Sequence, residues 1–441
     1  MPLLPIPAIG EILTASVDRL AYGGDGVTHP GGFTVFVPRT APGDLVRLQI
    51  TDVRKRYGRG LALEVLRPSA HRIESKCPHF DRCGGCHYQH LPSNFAAEQK
   101  VDHIRDALER IGPGRLDVRP ILSPKKLWNY RNRVTYHRSA RGSQGYISFR
   151  NRREVLDIDS CPIAQDELND LWRSVRHALE DFSADKLPYV TLRRATTGAC
   201  AVILSTTVDS SDSDLAKRLS TIPNIRSLYV TRIKAGSYSP FGDEMILVHG
   251  KEGITEEIGD VQYLVRPDLF FQIHSEITEQ LVAHAIEWAG ERAIDSILDV
   301  YCGAGLFTLA LARKGVRTLG VEIAHHSIRS AQTSAQANDL SDRARFRAGR
   351  ADTILLRLHR EGERFPAAIV DPPRKGLHPN LIASFPSLGI RNLLYVSCSP
   401  ATMARDLKVL LQSGFQVRWI QPFDMFPQTY HVEILTALEA R

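Results

Sequence analysis

Nowhere in these 441 residues does an apolar run approach the roughly 18–20 residues that a membrane span requires. A helical membrane protein is thereby excluded. The amino terminus, Met1-Pro2-Leu3-Leu4-Pro5-Ile6-Pro7, has neither a basic n-region nor an unbroken apolar stretch, so no secretory leader is expected. Cysteine is scarce, with seven in all. In a chain expected to be cytoplasmic, such thiols serve as ligands, nucleophiles or packing groups rather than disulfides. Acids are outnumbered, 49 against 56 lysines and arginines, and the net charge of +7 favours an anionic partner such as nucleic acid. There is no internal repeat and no low-complexity segment. The length suits two or three domains, each able to bury a core.

Short strands are expected over residues 8–66, at Ile12–Leu20, 33–37, Leu45–Val53 and 61–66, with Gly-rich turns between them. About five strands in so short a span predict a small barrel of the oligonucleotide-binding kind. Arg54, Lys55, Arg56 and Arg59 fall on its last loop, either touching phosphates or forming a solvated basic turn. A helix over 94–111 would carry Ala97, Val101, Ile104, Leu108 and Ile111 on one face. Mixed strands and helices follow, including strands at 189–193, 201–205 and 227–231. From 266 the pattern alternates: helix 275–289, strand 296–300, helix 306–313, strand 317–321, helix 325–338, then strands 367–370 and 392–397. That alternation predicts an α/β fold with a parallel, doubly wound sheet. The expected division is 1–66, 67–265 and 266–441, with helix 94–111 placed to pack on the last unit.

Three motifs in the last unit bear chemistry. Asp299-Val300-Tyr301-Cys302-Gly303-Ala304-Gly305 follows a strand and opens a helix, where glycines let the backbone approach a ligand. Glu322 ends the next strand, placed to accept both hydroxyls of a ribose. A dinucleotide loop would carry a third glycine, but Thr308 stands there, and Cys302 is expected to be a packing residue. Asp371-Pro372-Pro373-Arg374 puts a carboxylate at a strand end on a loop stiffened by two prolines. In amino-group methyltransferases an aromatic residue follows such a motif; here it is Arg374. Finally, Cys398 ends the apolar run 393–397, and Glu433 opens an apolar carboxyl-terminal strand. A thiol nucleophile and a carboxylate base are what C5 methylation of uracil needs. The thiolate adds at C6, C5 takes an electrophilic methyl, and a base removes the C5 proton.

With these motifs the chain resembles the RNA uridine-C5 methyltransferase family nearly end to end. The match runs through Phe270-Phe271-Gln272, Asp299 to Gly305, Glu322, Asp371 to Arg374, Ser397-Cys398-Ser399-Pro400, Arg405-Asp406 and His431-Val432-Glu433. The resemblance implies a class I, Rossmann-like domain using S-adenosylmethionine. Cys398 would be the nucleophile and Glu433 the base, with Gln272, Tyr301, Gly303, Gly305, Glu322 and Asp371 at the cofactor. Leu306 and His274 depart from the polar residue and the Asn that the family often has there.

The front half resembles the branch carrying a TRAM barrel and an iron–sulfur cluster. Cys77, Cys83, Cys86 and Cys161 match its ligands, and four thiolates suit a [4Fe–4S] cluster or zinc. Cys200 is left over as a core thiol. The stretch 125–153 holds two lysines, seven arginines and no acid, with Trp128, Tyr130, Tyr136, Tyr146 and Phe149 interleaved. Arg131, Arg133 and Phe270, with Arg54 and Lys55, are the RNA-contact candidates. The implied substrate is 23S ribosomal RNA, with a tRNA uridine, cytosine-C5 methylation or a non-catalytic RNA-binding iron–sulfur protein as alternatives. No obligate protein partner is evident, and a monomer is expected.

Overall fold

The computed structural model describes residues 6–208 and 213–441. Residues 1–5, on which the leader expectation partly rests, lie outside them. Five strands, β1 (Ile12–Leu20), β2 (Gly26–Thr28), β3 (Val35–Val37), β4 (Leu45–Val53) and β5 (Gly58–Arg67), close into a barrel in the order β1-β2-β3-β5-β4. Their alternating inward side chains, among them Val17, Val35, Val46, Leu48 and Ile50, fill it.

Helix α1 (Ser93–Arg110) buries Ala97, Val101, Ile104 and Leu108 as the periodicity predicts. Ile111 departs from that expectation: it is the C-cap and 46% exposed.

A central seven-stranded sheet is built from β6 (Arg133–Arg138), β7 (Gln144–Ile147), β8 (Val155–Asp157), β9 (Tyr189–Arg194), β10 (Cys200–Thr206), β11 (Ile225–Arg232) and β12 (Met245–Gly250). Its order is β12-β11-β10-β9-β6-β7-β8. Helices α2 (Asp166–Ala178) and α3 (Ser213–Ser220) cover it around Trp172, and Cys200 is buried in that core.

A hairpin, β13 (Ile254–Ile258) and β14 (Val261–Val265), packs into the carboxyl-terminal half, with Tyr263 donating 3.0 Å to the Leu306 carbonyl. That half contains α4 (Ser275–Glu291), β15 (Ser296–Val300), α5 (Leu306–Arg313), β16 (Arg317–Glu322), α6 (His325–Ala337), β17 (Ala344–Ala348) and α7 (Ala351–Arg360). It continues through β18 (Ala367–Val370), α8 (Pro379–Ser384), β19 (Asn392–Ser397), α9 (Pro400–Gln412), β20 (Phe415–Phe423) and β21 (Glu433–Ala440). The sheet order is β17-β16-β15-β18-β19-β21-β20, parallel from β17 to β19, with β21 antiparallel to both its neighbours. The chain winds outward one way from β15 and the other way from β18. The switch point between their carboxyl ends is where ligands bind in open α/β sheets. Helix α1 packs on α9, and its buried face joins the core beneath β19 and β21. No helix among the described residues is long and apolar enough to cross a membrane.

Candidate active site

Asp299, Tyr301 to Gly305, Glu322, Asp371 and Cys398 all lie at or just past the carboxyl ends of β15, β16, β18 and β19. The loop after β15 needs left-handed backbone, with Tyr301 at φ 68°, Gly303 at 54° and Gly305 at 86°. No atom lies within 4 Å of where a Cβ on Gly303 would point, so its outer face is open. Glu322 holds this loop from the next strand. It accepts from the Gly303 N–H at 3.3 Å and the Ala324 N–H at 2.9 Å, leaving acceptor capacity for ribose hydroxyls. Thr308, where a third glycine would fall, ties α5 to β15 by donating its hydroxyl (2.5 Å) and N–H (3.0 Å) to Asp299. Cys302 is buried against Gly320, as a packing residue should be.

Two buried acceptors, Asp299 Oδ1 on the strand that leads into this loop and Gln272 Oε1, have no hydrogen-bond partner. A buried unmade bond is costly, so these atoms fit a ligand's donors, and they are the observation by which S-adenosylmethionine suits the site. Gln272 is placed by the central sheet. Asn132 donates its side-chain amide to the Gln272 carbonyl (3.3 Å) and its N–H to Ile273 (3.2 Å). Leu306 is buried with its side chain in the core. His274 is buried, with its Nε2 3.0 Å from the Lys126 carbonyl and its ring stacked on Tyr130 at 4.7 Å.

The antiparallel register of β19 and β21 pairs Ser397 with Ile434. Cys398 and Glu433 each adjoin that last pair, and the Glu433 carboxylate stands close enough to act on the Cys398 thiol. Glu433 is buried, and burial together with the negative charge of Asp371 pushes its carboxyl well above the usual range, against the pull of Arg374. Cys398 is only partly buried. Burial, then the charges of Glu433 and Asp371, push its thiol up to about 11, and Arg374 opposes them. Burial, with Asp299 and Glu322 nearby, pushes Asp371 to about 7.

Asp406 fastens the Asp371–Arg374 loop to the same floor. Its Oδ2 accepts from the Leu377 N–H (2.7 Å) and the Tyr395 hydroxyl (2.8 Å), while Arg405 bonds both Asp406 and the Lys375 carbonyl. The loop 424–432, which leads into Glu433, is held from three sides. Lys100 of α1 bonds Asp424 (2.5 Å) and the Phe426 carbonyl (3.0 Å), Tyr130 bonds the Pro427 carbonyl (2.9 Å), and the His87 and Tyr88 N–H groups bond that of Gln428.

The four-cysteine expectation has a mixed outcome. Cys83, Cys86 and Cys161 are buried and Cys77 partly so, and each of the other three thiols feels the charge of Cys161. Burial pushes Cys83 to about 11 and Cys86 to about 12. Arg39 reaches in from the barrel, donating to the Cys83 and Cys86 carbonyls. Among the described residues, however, no three Cys, His, Asp or Glu side chains are grouped to hold a metal ion.

The basic stretch is less open than its composition suggests. Arg133 donates to the Leu269 carbonyl (3.1 Å) and lies over Phe241, and Arg138 is buried against the Leu179 and Phe182 carbonyls. Arg131 bonds the Arg133 carbonyl (2.9 Å). Tyr136 is core, stacked on Trp172 at 3.8 Å. Phe270 is 68% exposed, Arg54 pairs with Asp52, and Lys55 is exposed. The signal that sequence reasoning missed is Tyr22, a barrel residue whose hydroxyl reaches the Cys398 carbonyl at 3.4 Å.

The tRNA (uracil-5-)-methyltransferase family profile matches residues 98–441, and that of the TRAM domain matches residues 8–63. An uncharacterized RNA methyltransferase of Halalkalibacterium halodurans is 31% identical, over 98% of this chain and 97% of its own. Another, from Synechocystis, is 30% identical over 99% and 97%. The crystal structure of Pyrococcus abyssi tRNA (uracil-54, C5)-methyltransferase with S-adenosyl-L-homocysteine superposes with a TM-score of 0.77 at 26% identity. It covers 97% of this chain and 100% of its own.

Proposed function

The chain belongs to the tRNA (uracil-5-)-methyltransferase family and is an S-adenosylmethionine-dependent RNA uracil-C5 methyltransferase, and we propose that Cys398 is its nucleophile and Glu433 its base. One observation supports the reading: the thiol and the carboxyl adjoin the Ser397–Ile434 pair at the carboxyl end of β19, close enough for the Glu433 charge to act on Cys398.

The uridine leaves its stack to reach them. The Cys398 thiolate adds to C6, forming a C–S bond and moving the C5–C6 electron pair into an enolate. The exposed Arg374 supplies positive charge beside the thiol and favours its ionised form. Bound S-adenosylmethionine supplies an electrophilic methyl group, which C5 accepts. Glu433 then takes the C5 proton, the C5–C6 double bond re-forms, and the Cys398 sulfur leaves with its electron pair. Gln272, Tyr301, Gly303, Gly305, Glu322 and Asp371 are proposed to line the cofactor, with the open acceptors of Gln272 and Asp299 meeting its donors.

Cys77, Cys83, Cys86 and Cys161 are proposed to hold a [4Fe–4S] cluster with a structural role. The burial of Cys83, Cys86 and Cys161 and the partial burial of Cys77 support this, and the thiols must draw together and ionise around the metal. For the RNA, we place the target uridine in 23S ribosomal RNA, following the barrel and the cysteine segment. A tRNA uridine is the second reading. What favours it is that the Pyrococcus tRNA enzyme superposes on 97% of this chain. Mapping 5-methyluridine in ribosomal and transfer RNA from cells with and without the gene tests both. Loss from 23S RNA is expected, loss from tRNA alone selects the second reading, and loss from neither rejects the proposal.

A further inference from the structure

Tyr22 lies in the turn between β1 and β2 of the barrel, yet it packs on α1 and on the segments that carry Cys398 and Tyr430. Its hydroxyl reaches the Cys398 carbonyl at 3.4 Å, and its ring meets Tyr430 edge-on at 5.1 Å and His103 at 5.9 Å. Tyr22 is 41% exposed, and Cys398 is itself only partly buried.

The turn itself is fixed. The Ala21 N–H bonds the Asp25 carbonyl (2.8 Å) and the Gly24 N–H bonds that of Ala21 (3.0 Å). Gly24, at φ 92°, presses on His87 so closely that a Cβ would stand 2.8 Å from the histidine Cβ. His87 in turn packs edge-on against Tyr430 at 4.7 Å, and Tyr430 leads to Glu433 three residues on. The barrel turn thus touches the nucleophile's loop directly and the base's loop through Tyr430.

We propose that Tyr22 is a positioning residue for methyl transfer: with Tyr430 it forms an aromatic wall, contributed by the barrel, against which the extruded uracil is held over Cys398. This rests on Cys398 being the nucleophile. A barrel that only tethered RNA would need no side chain at the thiol's loop. The ring does the positioning rather than the hydroxyl, because 3.4 Å is long for an O–H donor whose usual distance is about 2.7–2.8 Å.

The test uses full-length protein, a substrate RNA carrying 5-fluorouridine at the target, and S-adenosylmethionine. It follows the rate of covalent adduct formation at saturating RNA alongside RNA affinity by filter binding. In Tyr22→Ala the adduct rate should fall about tenfold, the loss of roughly one aromatic pair's contribution, while RNA affinity changes less than about threefold. Tyr22→Phe should restore the rate to within about threefold of wild type, which also shows that the site folds. Cys398→Ala is the control on the underlying reading: an adduct there means the nucleophile is misassigned, whatever Tyr22 does. With that control blank, three results overturn the proposal. They are a wild-type adduct rate in Tyr22→Ala, an equal loss in Tyr22→Phe and Tyr22→Ala, or a loss of RNA affinity that accounts for the whole effect.

Discussion

Cys398 and Glu433 are separated by a helix and a strand in the chain, yet both adjoin the Ser397–Ile434 pair that closes the β19–β21 ladder. The carboxylate raises the thiol, and both stand in the field of Asp371 on one side and Arg374 on the other.

The thiol's value of about 11 makes a first prediction. Alkylation requires the thiolate, which at pH 7 is then only about one part in ten thousand. Reaction of Cys398 with iodoacetamide, followed by peptide mass spectrometry, should speed up roughly tenfold per pH unit from 7 to 10. A rate that levels off below pH 8 would contradict the environment described.

Glu433→Gln should permit methyl transfer but not release, since an amide cannot take the C5 proton. A complex of protein and methylated RNA that survives denaturing electrophoresis should accumulate. In the wild type both Cys398 and Glu433 must lose protons that the site holds tightly, so the methylation rate should climb from pH 6 to 9. A rate that falls over that range would exclude these two roles.

Asp299 gives a stability prediction with a definite sign. Burial raises it from 3.8 to about 7, so the folded state holds its proton more tightly than the unfolded chain does. Its contribution is fully present below about pH 4 and is lost as pH rises through 7. Asp299→Asn, which still accepts from Thr308, should remove that loss. The melting-temperature difference, variant minus wild type, should therefore become more positive from pH 4 to 8.

The Lys100–Asp424 pair is buried on both sides, at 1% and 6% side-chain exposure. Lys100→Met strands a carboxylate in the interior and should cost about 3–5 kcal/mol in urea denaturation. The double variant Lys100→Met/Asp424→Leu should recover most of that stability. If the single variant were neutral, the tether that holds the 424–432 loop would lie elsewhere.

Protein purified without oxygen should be brown and contain four irons per chain if the four cysteines hold a cubane cluster, and Cys86→Ser should bleach it. One zinc and no iron would replace the cluster with the other metal suited to four thiolates.

How much of this was legible in the sequence follows from the physics of each element. Strands β15, β18 and β19 lie where their apolar runs predict, because buried parallel strands are continuous hydrophobic stretches ended by turn residues. Strand β2 has only three residues, too few to show a period, and β17, Ala-Arg-Phe-Arg-Ala, hides its strand behind the charges of a sheet edge. Glu322, Asp371 and Cys398 were legible as candidates because each sits at or just past the end of a strand.

Arg133 and Arg138 were not legible as internal donors, since a basic run looks the same whether its guanidinium groups meet phosphates or buried carbonyls. Tyr22 was not legible at all. Its partner is 376 residues away, and only the closure of the barrel onto the catalytic half brings them together.

The most direct measurement is the site of attachment. Enzyme incubated with S-adenosylmethionine and 5-fluorouridine-containing RNA stalls after methyl transfer, because fluorine cannot leave as the proton does. Digestion and mass spectrometry should then find the nucleotide on the peptide containing Cys398, at the sulfur, with the added methyl group. A nucleotide on any other residue, or methylated product with no attachment to protein, would contradict the account.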